Sequence, residues 1–87
     1  MLKFSKHAED KLRLYGLIQE NLLNALEKPL YICEDKEKNS VIYIVELEEK
    51  PFSVVVKDDV IITVYRTDLG KLNSRIRSGR WSCRNYS

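Results

Sequence analysis

The spacing of apolar residues changes once along the chain, near Pro29, from a helical period to an extended one. Before that point Ala8, Leu12 and Tyr15 fall at i, i+4 and i+7, which lines them up on one side of a helix. Ser5 stands where an N-cap belongs, Glu9 and Asp10 occupy the first turn, and Gly16 follows the last apolar position. The pattern therefore predicts a capped amphipathic helix over residues 6–15. Ile18, Leu22, Ala25 and Leu26 form a second stripe, predicting a helix over residues 18–27 that Pro29 brings to a stop. With only Gly16 and Leu17 between them, the two are expected to pair as a helical hairpin.

Beyond Pro29 β-branched and aromatic residues take over and the period falls to two. Four strands are predicted, over residues 30–34, 40–47, 52–57 and 60–67, separated by Asp35-Lys36-Glu37-Lys38-Asn39, Glu48-Glu49-Lys50-Pro51 and Asp58-Asp59. Such short connections allow only antiparallel neighbours, because a parallel pair needs a crossover of about a dozen residues or more. The expected fold class is α+β: an N-terminal helical hairpin packed on a four-stranded antiparallel sheet, with residues 1–67 as a single domain. The second and fourth strands are apolar at almost every position, which implies burial of both faces, and one hairpin covers one face only. Residues 68–87 are the available cover. There Leu69, Leu72 and Ile76 at i, i+3 and i+7 predict a short C-terminal helix. The expected core is Leu12, Tyr15, Leu22, Leu26, Ile42, Ile44, Val54, Val56, Ile62 and Val64.

Charge sharpens the picture of the C-terminal segment. Residues 1–65 carry nine Lys and Arg against twelve Asp and Glu, whereas residues 66–87 carry six against one. Five of those six are arginines, Arg66, Arg75, Arg77, Arg80 and Arg84, whose planar forks match phosphate better than the ammonium of Lys71 does. Trp81 and Tyr86 lie among them as rings able to stack on bases. Such a segment either contacts a polyanion or forms a solvated, charged tail.

Other features narrow the function classes. A chain of 87 residues has room for one domain. No apolar run approaches the roughly 18 residues of a membrane span, and the N-terminus mixes both charge signs, so a cytoplasmic protein with no membrane partner is expected. Cys33 and Cys83 show no CxxC spacing and one histidine is too few to complete a zinc site. Two reduced thiols are expected, a single long-range disulfide being the alternative. The sequence holds no Gly-rich phosphate loop, nucleophile elbow, HExxH or EF-hand spacing, and neither metal nor cofactor is expected.

The residues able to carry chemistry are few. His7 is the one histidine, the side-chain type that titrates near neutrality. It flanks the apolar stripe of the first helix, with Lys6 beside it and Lys11 one turn on. Cations so placed attract a phosphodiester; the plainer role is a boundary histidine that packs its ring. Thr63, Tyr65 and Thr67 share one face of the last strand by alternation, Val64 and Arg66 the other. A face with two hydroxyls and a phenol either lines a cleft or meets solvent. Glu46, Glu48 and Glu49 cluster where a solvated turn accounts for them.

Phe4-Ser5-Lys6-His7-Ala8, then Lys11, Gly16-Leu17, Ala25-Leu26-Glu27-Lys28-Pro29 and Ile62-Thr63-Val64-Tyr65, together resemble the bacterial and archaeal family catalogued as domain of unknown function 4258, over most of residues 3–67. The chain departs from that pattern at Lys11 and Tyr15, where members carry arginines, and at Leu17, where they carry isoleucine. The resemblance implies a fold like that of RelE/ParE-like toxins and of barnase-like and colicin-D-like ribonucleases. It implies in turn a metal-independent endoribonuclease, in which a base deprotonates the ribose 2′-hydroxyl, cations stabilise the phosphorane and an acid protonates the leaving 5′-oxygen. His7, Lys11 and Tyr65 would be the catalytic groups; Lys6, Thr63, Arg66, Lys71, Arg75, Arg77 and Arg80 would bind the substrate. The expected partners are RNA, an acidic antitoxin-like protein and a second copy of the chain. The competing reading is a non-catalytic module that binds RNA or protein through its basic C-terminus.

Overall fold

The computed structural model describes residues 2–85, so the base-stacking role expected of Tyr86 lies outside the described residues. The elements run β1 (Lys3–Phe4), α1 (Lys6–Tyr15), α2 (Gln19–Ala25), β2 (Tyr31–Asp35), β3 (Ser40–Leu47), β4 (Lys50–Lys57), β5 (Val60–Arg66), α3 (Leu69–Arg77) and β6 (Ser82–Asn85). The strands form one six-stranded sheet in the order β1-β5-β4-β3-β2-β6. Every pairing is antiparallel except that of β1, which runs parallel to β5.

This corrects the expected architecture in two ways. The four predicted strands are the centre of a wider, mixed sheet, and the N-terminal helices do not form a hairpin upon it. Instead α1 lies on β1 and β5, while α2 lies on β3. Neither edge strand carries a periodic signal: β1 is two residues long, and β6 reads Ser-Cys-Arg-Asn with no apolar alternation. Each forms because an existing sheet edge offers unpaired backbone groups.

Local chemistry explains where the elements begin and end. The Ser5 hydroxyl accepts from the Ala8 N–H (3.0 Å), capping α1, and donates to the Ile62 carbonyl (2.8 Å), tying the helix start to β5. Gly16, at φ 70°, closes α1, and the Leu17 N–H returns to the Leu12 carbonyl at 2.8 Å. The second helix is shorter than predicted at both ends, because Ile18 provides no side-chain cap and its last turn tightens through Glu27 and Lys28 N–H bonds to Asn24 and Ala25. Glu48-Glu49 and Asp58-Asp59 form the two-residue loops of the β3–β4 and β4–β5 hairpins, all four at φ between 52° and 65°. Those glutamates therefore turn the chain.

The sheet buries both faces. Ala8, Leu12, Leu22, Val45, Leu47, Phe52, Val54, Ile61 and Val64 form one core beneath α1 and α2. Cys33, Ile42, Ile44, Leu72 and Trp81 form a second on the opposite face, covered by α3. Strand β3 feeds both by alternation, Val45 and Leu47 to the first and Ile42 and Ile44 to the second. Of the expected core, Tyr15, Leu26 and Val56 are half-buried and Ile62 is exposed. The error at Ile62 has a local cause: Val56 pairs with Ile61 but Val55 pairs with Thr63, so Ile62 is the extra residue of a β-bulge and Ile61 takes the core position.

The expectation of two reduced thiols is also corrected. Cys33 and Cys83 sit directly opposite each other on β2 and β6 and are joined as a disulfide. Strand pairing brings together two residues 50 apart in sequence, which spacing alone does not reveal. Chain entropy over a loop of that length sets the stability lost on reduction at about 4 kcal/mol, and urea unfolding with and without a dithiol reductant measures it. Replacing Glu48-Glu49 by Asn-Gly should raise stability by about 1 kcal/mol, because Glu is disfavoured at positive φ where Asn and Gly are tolerated. A higher urea midpoint at unchanged slope is the expected result.

Candidate functional site

The sheet face away from α1 and α2 carries a polar cluster built around Asp35, Trp81 and Arg75. Asp35 ends β2 and is 4 % exposed. Its Oδ1 accepts from the Glu37 and Lys38 N–H groups (3.1 and 3.2 Å), and its Oδ2 accepts from the indole Nε1 of Trp81 at 3.2 Å. Burial alone pushes this carboxyl upward. The Lys38 N–H, the Trp81 indole, the Glu37 N–H and the charge of Arg80 together more than offset that push and hold it below the usual carboxylate range.

Trp81 reaches Asp35 because of the way α3 ends. Gly79, at φ 80°, reverses the chain, and the Arg80 and Trp81 N–H groups both return to the Arg75 carbonyl at 3.1 and 3.3 Å. The turn places the indole beneath the helix, where the Arg75 guanidinium lies over the ring at 4.6 Å. The same guanidinium donates to the Tyr65 hydroxyl at 3.2 Å. Arg75 is half-buried, yet the one ion pair among the described residues joins Arg13 to Asp10 on α1. The structure thus holds a half-buried cation in place with no carboxylate at salt-bridge distance.

Two cavities meet at this residue. One, of about 130 Å³, is lined by Tyr65, Thr67, Asp68, Lys71, Arg75 and Trp81 among others. The other, of about 260 Å³, includes Lys38, Thr63, Tyr65, Arg75, Arg80 and Trp81. Neither reaches the roughly 300–1,000 Å³ of an enclosed small-molecule pocket. Side by side, with Tyr65, Arg75 and Trp81 as their common wall, they form a shallow cleft with Lys71 towards one end and Lys38 and Arg80 towards the other.

The structure divides the residues singled out from the sequence. Thr63, Tyr65, Lys71, Arg75 and Arg80 come together in the cleft. Arg66 borders it, but strand alternation sends its side chain towards the α1 face with Val64, and its N–H donates to the Tyr15 hydroxyl at 3.4 Å. Lys6, His7 and Lys11 lie on α1, across the sheet, with Lys6 and His7 exposed. Arg77 is exposed on α3. The stacking role expected of Trp81 is corrected: at 5 % exposure, with Arg75 over its ring, it has no free face for a base. Asp35 and Lys38 carry no signal of their own in the sequence, because they sit in a short polar stretch between two strands. The buried Ser53, hydrogen-bonded to Thr67, was hidden in an apolar strand.

No family model, curated protein or solved structure matches the chain. The Asp35–Trp81 link generates a prediction about acid stability. The folded carboxyl titrates below its unfolded value of about 3.9, so its stabilisation is complete above that pH and is lost as pH falls through the lower folded value. Asp35→Asn should lower stability at neutral pH by about 1–3 kcal/mol, the range for a buried partner left poorly satisfied, and should flatten this acid-side decline. Urea midpoints of both proteins between neutrality and the acid limb test it.

Proposed function

We propose that the protein binds the phosphodiester backbone of RNA in the cleft on the α3 face, through Arg75 with Lys71, Arg80 and Lys38. The observation that carries the reading is the state of Arg75, half-buried, braced by Tyr65 and Trp81, and in no salt bridge. A guanidinium in that setting favours an anion with paired acceptor oxygens, which a phosphate offers. Flanking cations in two adjoining cavities suit consecutive phosphates better than one small anion. RNA is the polyanion that the sequence resemblance implies. With the Trp81 ring covered, recognition rests on the backbone and is tolerant of base sequence.

Binding is favoured over cleavage by the placement of His7, which lies on the other side of the sheet from Tyr65 and leaves the cleft without a histidine. The test is fluorescence anisotropy of a labelled oligouridylate across a salt series. Four cations on a single strand set a slope of log K against log salt of about −3, and Lys71→Gln should make it shallower by about 0.7. Arg75→Gln should weaken binding by about tenfold to a hundredfold, the equivalent of one charge-assisted hydrogen bond, while His7→Ala leaves it unchanged. No binding at low salt, or full binding by Arg75→Gln, would falsify the proposal. Chelator-resistant cleavage that disappears in Tyr65→Phe would replace binding with catalysis at the same cleft.

A further inference from the structure

We infer that the Cys33–Cys83 disulfide is a thiol-exchange site whose reduction opens this cleft. Cys33 faces Cys83 in the β2–β6 ladder and Glu34 faces Ser82 at its end, and the next residues beyond, Asp35 and Trp81, are joined by the indole–carboxylate hydrogen bond. The disulfide lies within the ladder and the indole–carboxylate hydrogen bond just past its end, with Cys33 and Asp35 on one face of β2. Both fasten the same C-terminal segment, and Trp81 in turn supports the Arg75 guanidinium. Strand β6 lies at the sheet edge, pairs with β2 alone, and exposes Ser82, Arg84 and Asn85. Cys83 is the β6 side chain packed on the second core. Without the covalent bond, four residues of edge strand hold the floor of the site.

The two residues differ in exposure, since Cys33 is fully buried and Cys83 is half-buried at the edge. A thiolate of a dithiol reductant attacks Sγ of Cys83, the Cys33–Cys83 bond breaks, and Cys33 leaves as a thiolate that takes up a proton. The second thiolate of the reagent then displaces Cys83 from the mixed disulfide. The protein gains two electrons and two protons as a pair of thiols, and the dithiol is oxidised to its own disulfide. Release of β6 frees Trp81 from Asp35 and Arg75 from the indole, so the cation that organises the cleft loses its fixed orientation.

Trp81 is the chain's one tryptophan, so its fluorescence reports on this segment without labelling. Acrylamide quenching of the full chain is measured before and after dithiothreitol, together with Cys83→Ser, and oligouridylate binding is followed in parallel. Quenching should rise on reduction of the wild type and be high in Cys83→Ser under both conditions, with the far-ultraviolet circular dichroism largely retained. Unchanged quenching on reduction overturns the inference. So does loss of the whole circular dichroism spectrum, which would make the bond a staple of the entire fold rather than of one segment. The binding arm rests on the RNA reading: reduction should weaken binding about tenfold, and binding indifferent to reduction overturns the control of the site. Quenching that rises in a protein that binds no RNA in either state supports the opening and removes the RNA reading alone.

Discussion

A sheet that is apolar on both faces obliges a chain of 87 residues to find two covers. Strand β3 sets the problem, because Val45 and Leu47 point one way and Ile42 and Ile44 the other, all four buried. The first cover is generous, with Ala8, Leu12 and Leu22 descending from α1 and α2. The second is thin. Helix α3 contributes Leu72 alone as a buried residue, while Leu69 and Ile76 remain partly in solvent. Burial of that one leucine is worth about 1.5–3 kcal/mol. The Trp81 indole, the Asp35 carboxylate and the Cys33–Cys83 bond fasten the segment that follows this helix.

Those tethers also make the site. The chain reverses at Gly79 to bring Trp81 beneath α3, and that reversal uses the Arg75 carbonyl while the Arg75 side chain lies over the ring. One residue thus closes the helix, covers the indole and presents a cation to the cleft. The carboxylate within reach of the cluster, Asp35, is committed to two backbone N–H groups and the indole. It balances the local charge without forming an ion pair with Arg75. The positive character of the cleft follows from how the second cover is fastened, and a loss of that fastening acts on core and site together.

Much of this was legible in the residues themselves. Periodicity located α1, the four central strands and α3, because each has enough apolar positions to show whether its period is 3.6 or two. Alternation placed Thr63 and Tyr65 on a common face, and charge counting marked residues 66–87 as the basic part of the chain. The need for a second cover was also readable, since strands apolar on both sides cannot be left half in water. What lay beyond the sequence depends on contacts between distant segments. A two-residue strand and a polar edge strand exist because an edge was there to receive them. One inserted residue at Ile62 reverses which side chain enters the core, and alternation is blind to it until the pairing is known. His7 and Tyr65 are separated by the thickness of a sheet, and Cys33 and Cys83 are joined across 50 residues, for the same reason. Local pattern reports which way a residue faces within its own element; only the packing of one element on another decides what it meets there.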